Sequence, residues 1–354
     1  MLINVHDFEM VAARKLSQPA YDYYRGGARD EICLRRNREA YSQYAVHYKV
    51  LADVSEVDVS TSVLGLPVSM PILAAPTAFH AMADAGAEVA SARAVTGEGS
   101  IFILSTLSNT PMEQVVGQAS GPVLFQLYIY KDRGVTRELV QRAQAAGARA
   151  LVVTVDAPVL AIREKDTHNR FTLPPGLTLA NLTGTGKETL EGGGLDTYVQ
   201  RQLDPALSIR DLEWLVSQTS LPVVVKGVVR PDDAVRCAQS GARAVVVSNH
   251  GGRQLDHSPA TLHCVERVRQ ALDPRVEVWM DGGIRRGAEA MLACCLGARV
   301  VLVGRPLLWG LAAAGEQGVR QVFQTLRAEL QEAMLLTGCS RLDQLSRDLV
   351  ERVG

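Results

Sequence analysis

Eight short apolar runs recur along this chain, at 71–75, 101–105, 123–127, 150–155, 222–226, 244–248, 276–281 and 299–304, each followed by a stretch of helical character. They are rich in Val, Ile, Leu and Ala and are bounded by turn residues, so they read as strands buried on both faces. Eight such strands alternating with helices predict an α/β fold, a (β/α)8 TIM barrel. An open doubly wound sheet shows the same alternation, because strand order is not written in a sequence. The barrel is preferred because polar residues end nearly every run: Pro76 and Thr77, Ser105 and Thr106, Gln126 and Tyr128, Thr154 and Asp156, Lys226, residues 248–253, residues 281–285, and Gly304 with Arg305. A barrel gathers these ends at one mouth, whereas an open sheet leaves several too far apart to cooperate.

Ahead of the first run, residues from about 5 to 45 mix polar and apolar positions at helical spacing, with a break at Gly26 and Gly27. The expected organisation is one domain over 1–354, with an N-terminal helical extension over 1–65 and the barrel over 66–354. About sixty-five residues separate the fourth run from the fifth, and they include Thr183-Gly184-Thr185-Gly186-Lys187 and Gly192-Gly193-Gly194. A mobile loop is expected at about 176–205, open to reading as a surface insertion or as a lid over the mouth. It is not a phosphate loop, since Glu188 follows Lys187 where Ser or Thr is required.

A formal net charge of -1 on 354 residues gives no electrostatic reason to expect nucleic acid or an anionic membrane as partner. Small-molecule chemistry is the default. The six cysteines include no CxxC pair and read as buried thiols in a reducing compartment. The first ten residues lack a basic stretch before a long apolar one, no apolar run reaches membrane-spanning length, and the end does not match a Ser-Lys-Leu signal. A cytoplasmic location is expected.

The segment Ser248-Asn249-His250-Gly251-Gly252-Arg253-Gln254-Leu255-Asp256 follows the sixth run. A histidine exchanges protons near neutral pH, an arginine grips a carboxylate, and glycines let a flat ligand approach the backbone. Of seven histidines only His250 lies between a strand end and a glycine pair; His80 is nearer the mouth than the others but lacks an adjacent orienting group. Asp156, if it faces His250, orients the imidazole; otherwise it caps the following turn. Arg163 reads as a second anion-binding group or as a surface ion pair. Lys226, closing the fifth run, is open to three readings: a Schiff base, neutralisation of an electron-rich cofactor, or a structural ion pair. The ends of the last two runs, Asp281-Gly282-Gly283-Ile284-Arg285-Arg286-Gly287 and Gly304-Arg305-Pro306, lie where barrels commonly hold a phosphate. No His-x-His, HExxH or Cys/His cluster offers metal-ligand spacing, so no metal is expected.

Together these motifs resemble the FMN-dependent 2-hydroxy acid oxidase family, which includes glycolate and lactate oxidases. The segment 248–256 is that family's signature, and 21–24, 75–78, 125–128, 154–156, 225–227, 281–287 and 304–306 recur in order. The resemblance implies that Pro76, Thr77, Ala78, Ser105, Gln126, Thr154, Lys226, Ser248, Asp281, Gly282 and Ile284 contact FMN. Gly283, Arg285, Gly304 and Arg305 would hold its phosphate. It further implies that Arg163 and Arg253 bind the substrate carboxylate, that Tyr23 and Tyr128 hydrogen-bond carboxylate and hydroxyl, and that His250 is the base with Asp156 behind it. Molecular oxygen would be the electron acceptor and hydrogen peroxide a product. The resemblance also implies a homo-oligomer, a tetramer or octamer.

Plant-type glycolate oxidases resemble this chain but carry tryptophan at the position of Leu107, so a larger substrate side chain than that of glycolate is expected to fit, as in L-lactate. Three other readings stand beside this one. They are a dehydrogenase passing electrons to a quinone or similar acceptor, another phosphate-binding barrel such as an isomerase or Schiff-base aldolase, and a flavin-binding protein without catalysis.

Overall fold

The structure, a computed structural model, describes residues 2–190 and 194–353. Eight parallel strands close into a barrel: β1 Ile72–Ala74, β2 Phe102–Leu104, β3 Val123–Leu127, β4 Leu151–Thr154, β5 Val223–Val228, β6 Ala244–Val247, β7 Glu277–Asp281 and β8 Val300–Val303. Each neighbours the next in sequence, and β8 pairs β1 to close the ring. The open doubly wound sheet is therefore excluded. All eight apolar runs are strands, because each buries one face against the barrel interior and the other against the surrounding helices.

That alternation has a period of two. Leu73, Ile103, Leu124, Val152, Val224, Val246, Trp279 and Leu302, one from each strand, pack together inside the barrel. Their neighbours, among them Ala74, Leu104, Phe125, Val153, Val225, Val247, Met280 and Val303, belong to the larger core shared with the helices. Two residues further along each strand, the next inward positions are Ala75, Ser105, Gln126, Thr154, Lys226, Ser248, Asp281 and Gly304. One layer of the barrel thus changes from aliphatic to largely polar at the end where the strands stop.

Lys226 does not close its strand, as the sequence reading expected. β5 continues through Gly227 to Val228, with a register shift against β6 between Lys226 and Val228. Gly227 has φ +112°, a conformation that favours glycine.

The other end of the barrel is stoppered by a hairpin, Thr61–Val63 paired with Leu66–Val68. Its two turn residues, Leu64 and Gly65, both have positive φ, and Val63 and Val68 join the interior cluster. Helices Val5–Lys15, Gln18–Arg25 and Ile32–Glu39 precede it, with the break at Gly26 and Gly27 between the last two. Val5–Lys15 packs on the kinked C-terminal helix Arg305–Thr337, where Lys15 Nζ donates to Ala313 O at 2.6 Å. The segment Tyr44–Val46 pairs antiparallel with Val350–Arg352 and ties the two ends of the chain together.

Within 176–205, a 3-10 turn Ala180–Leu182 and a helix Gly194–Gln202 are present, and residues 191–193 of the expected loop lie outside the described residues. Asn181 is fully buried and anchors the turn, donating from Nδ2 to Ser105 O at 3.2 Å and to Ser108 Oγ at 3.1 Å. Among the described residues no helix is long and apolar enough to cross a membrane.

Candidate active site

A cavity of about 1200 Å³, counted out to where it meets solvent, occupies the polar end of the barrel. Every site residue expected from the sequence lines this cavity except Asp156 and Ser248, which stand directly behind His250 and Lys226.

His250 follows β6 at φ +57°, an uncommon conformation for a residue with a side chain and one that recurs at functional sites. Its Nδ1 lies 2.8 Å from Asp156 Oδ1, which leaves Nε2 for another partner. Burial pulls the His250 pKa below its ordinary value, outweighing the upward push of Asp156. Burial alone raises the Asp156 pKa, but His250 and then Lys226 hold it below the usual carboxylate range. The pair is therefore a neutral imidazole and a carboxylate at neutral pH, a state able to accept a proton and stabilise the resulting imidazolium.

The polar layer is knitted into a network. Gln126 Nε2 donates to Thr154 Oγ1 at 3.0 Å, and Ser105 Oγ donates to Gln126 Oε1 at 3.3 Å. Lys226 Nζ lies 3.0 Å from Asp281 Oδ2 and donates to Ser248 Oγ at 3.0 Å. Ser248 Oγ also accepts from the His250 backbone N–H at 3.1 Å, so one hydroxyl links the lysine to the histidine loop. Burial opposes the charge on Lys226, but Asp281 and Asp156 raise its pKa above the ordinary value. A lysine held as a cation between two carboxylates is a poor Schiff-base nucleophile, which leaves neutralisation of a cofactor and a structural ion pair as its readings. Asp281 Oδ1 is buried and has no hydrogen-bond partner among the described residues, leaving an acceptor on the cavity wall.

Two arginines frame the mouth near Tyr23. Arg253 Nη1 donates to Tyr23 O at 2.6 Å and to Gly26 O at 2.8 Å, and its guanidinium lies 5.0 Å from the Tyr23 ring centroid. Arg305 donates from Nε to Tyr24 O at 3.0 Å, from Nη2 to Gly26 O at 2.9 Å and from Nη1 to Gly251 O at 3.0 Å. Helix ends leave carbonyls without partners, and here arginines of the site satisfy those of Gln18–Arg25. The same bonds lock Tyr23 into the cavity wall, where Phe171 stacks on it at 4.4 Å.

Arg163 is buried beside this ring, 6.0 Å from its centroid, and its Nε has no hydrogen-bond partner among the described residues. Burial and then Arg253 lower its pKa to about 10. Two adjacent guanidiniums short of negative charge offer the kind of charge that a carboxylate pairs with. At the far rim Arg285 donates to Ile284 O at 2.8 Å and forms no ion pair among the described residues, while desolvation and Arg38 lower its pKa. Arg285 and the backbone of Gly282, Gly283 and Gly304 line one side of the cavity, as phosphate binding requires.

The signature segment also carries residues whose work the sequence reading did not assign. Gln254 Nε2 donates to Asp156 O at 2.8 Å and Val159 O at 2.9 Å, holding the loop that presents Asp156. Asp256 accepts from the backbone of Asp30 at 3.1 Å and Cys33 at 3.0 Å, and Asn249 exchanges two hydrogen bonds with Asn37. The N-terminal helices are thereby fastened to the barrel mouth. His80, read as lacking an orienting group, has two ring partners, Thr77 Oγ1 at 2.6 Å and Ser91 Oγ at 2.9 Å. It is fully buried behind Thr77. Leu195, Val199 and Leu203, from the segment expected to be a loop, line the cavity as well; only their apolar spacing, four residues apart, pointed to this. Among the described residues no group of His, Cys, Asp or Glu side chains is arranged to hold a metal ion.

Fold and site together define a (β/α)8 barrel whose mouth carries an imidazole–carboxylate pair, two adjacent arginines and a glycine and arginine rim around one cavity. The chain belongs to the FMN-dependent dehydrogenase family, whose profile matches residues 12–352. It is 50% identical to an L-lactate oxidase of Nostoc over 97% of this chain and 96% of that protein. It is 47% identical to glycolate oxidase 3 of Arabidopsis thaliana over 98% of this chain and 95% of the relative. A soluble mutant of the membrane-associated (S)-mandelate dehydrogenase from Pseudomonas putida has the same architecture, with TM-score 0.93 and 37% identity over 99% of this chain and 100% of that one. FMN is the cofactor, and the residues present fit it: a cation, hydroxyl and amide groups on the barrel floor, an unpartnered carboxylate oxygen, and a glycine and arginine rim.

Proposed function

We propose that this enzyme oxidises a small (S)-2-hydroxy acid to the 2-oxo acid, taking L-lactate or a somewhat longer aliphatic acid at least as well as glycolate, and that molecular oxygen is reduced to hydrogen peroxide. The observation that carries the proposal is the His250–Asp156 pair set beside Arg163, Arg253, Tyr23 and Tyr128 in one cavity. FMN supplies the two-electron acceptor. Arg163 and Arg253 bind the carboxylate and, with Tyr23 and Tyr128, orient the hydroxyl-bearing carbon. Burial raises the pKa of both tyrosines, so each keeps its hydroxyl proton to donate. His250 Nε2 takes a substrate proton as the Cα–H electron pair departs, and Asp156 stabilises the imidazolium.

Lys226, with Ser248, Ser105, Gln126, Thr154 and Asp281, would hold the isoalloxazine and ribityl portions together with Pro76, Thr77, Ala78, Gly282 and Ile284. Gly283, Arg285, Gly304 and Arg305 would hold the phosphate. A fixed positive charge at Lys226 favours electron arrival on the cofactor. Leu107, buried on the cavity wall, leaves space for a side chain on the substrate. The proposal extends to a cytoplasmic homo-oligomer, tetramer or octamer, supported by six unpaired cysteines and by the family resemblance.

The test is a visible spectrum of the purified protein. A flavin spectrum bleached by L-lactate without air, and restored by air with release of hydrogen peroxide, is expected. A flavin that L-lactate and other 2-hydroxy acids leave oxidised contradicts the substrate class. Bleaching that air does not reverse points instead to a quinone or other acceptor.

A further inference from the structure

The two arginines of the carboxylate site are held unequally. Arg253 is fastened by two bonds to helix-end carbonyls, whereas Arg163 has an unpartnered Nε and, in Asp166, one carboxylate in reach. The contact is loose. Arg163 Nη1 lies 3.8 Å from Asp166 Oδ2, an ion-pair distance too long for a hydrogen bond, and Asp166 Oδ1 is buried with no hydrogen-bond partner among the described residues. The charged groups facing Asp166 are Arg163, one turn before it in the chain, Arg253 beyond β6, and Asp22 on the Gln18–Arg25 helix. Asp22 is itself held by Asn169 Nδ2 at 2.8 Å, so it does not replace Asp166 beside Arg163.

A carboxylate this close to a guanidinium, yet unbonded to it, competes with any incoming carboxylate for the same charge. Resting on the 2-hydroxy acid reading of the site, we infer that Asp166 is a built-in competitor for Arg163: a positioning residue that weakens anion binding and lets the 2-oxo acid product leave. Two like guanidiniums with no such counter-charge would hold an anion more tightly than turnover requires. Asp166 thus keeps Arg163 parked and charged while the site is open, then gives it up to substrate.

Oxalate, an unreactive dicarboxylate, is the probe, and its dissociation constant is read from the change it makes in the visible spectrum of the FMN-loaded enzyme. Asp166→Asn removes the competing charge at nearly constant size, and oxalate should bind roughly threefold or more tighter than to the parent. Inhibition by the 2-oxo acid product should strengthen in parallel. Asp166→Glu keeps the charge and should stay within about twofold of the parent. Oxalate binding that is unchanged or weaker in Asp166→Asn overturns the inference, because a merely structural role predicts loss of affinity. If oxalate does not perturb the parent spectrum at all, the carboxylate site itself is wrong and the inference falls with it.

Discussion

Gly227 stands directly against Asp156: a Cβ built on the glycine would lie 2.6 Å from Asp156 Cβ and 2.7 Å from its Cγ. The register shift that carries β5 past Lys226 therefore has two effects. It keeps the lysine in the inward polar layer, and it clears the space in which the carboxylate behind His250 is seated. Gly227→Ala is expected to strain the backbone by about 1–3 kcal/mol and displace Asp156 from the imidazole. Thermal melting should show the lost stability, and kcat should fall at least about tenfold with FMN still bound. A variant with unchanged kcat would mean that the seat of Asp156 does not matter.

The acid limb of the pH profile reports His250. Its pKa lies below the ordinary 6.5 in the folded enzyme, and the neutral imidazole is the active form. Activity should hold through neutral pH and below 6.5, then fall as acid protonates the ring. Asp156→Asn removes the influence that raises that pKa, so the acid limb should move to lower pH while kcat drops roughly 10²-fold or more. A profile of kcat/KM against pH for both proteins checks the pair of effects. An acid limb that moves upward in the variant would contradict the assignment.

Lys226 and Asp281 are both buried, so removing one partner leaves the other charge stranded. Lys226→Met should destabilise the FMN-free chain by about 3–5 kcal/mol in urea unfolding. Replacing both, as Lys226→Met with Asp281→Leu, should recover most of that loss. The double variant should nonetheless be reduced slowly by substrate, because no fixed cation remains beside the cofactor. Full recovery of the reduction rate would make the ion pair structural alone.

Leu107 tests the shape of the substrate pocket. Leu107→Trp fills space on the cavity wall, so the ratio of kcat/KM for L-lactate to that for glycolate should fall by roughly 10-fold or more. Steady-state kinetics with the two acids decide it, and an unchanged ratio would move the selectivity elsewhere.

The barrel was legible because eight apolar runs, buried on both faces, each end in polar residues, and the alternation of faces along a strand makes Ser105, Gln126, Thr154, Lys226, Ser248 and Asp281 one inward layer. Residue types alone marked His250, Asp156, Arg163 and Arg253 as polar groups near strand ends, and only the family resemblance implied that they work as pairs, since pairing depends on distances across the mouth. The pairing of Tyr44–Val46 with Val350–Arg352 joins segments at opposite ends of the chain, and no local pattern announces it. The strand extension at Gly227 was hidden because a glycine after a lysine looks like a strand end. The partners of His80 were hidden too: Ser91 sits in a helix, and its hydroxyl meets the imidazole only once that helix packs on the barrel.

The central claim is that His250 takes the substrate proton while the cofactor takes the electrons. Rapid mixing of FMN-loaded His250→Gln with L-lactate in the absence of air tests this most directly. The variant should keep its flavin absorbance and be bleached at least about 10³-fold more slowly than the parent. Bleaching at the parent rate would contradict it.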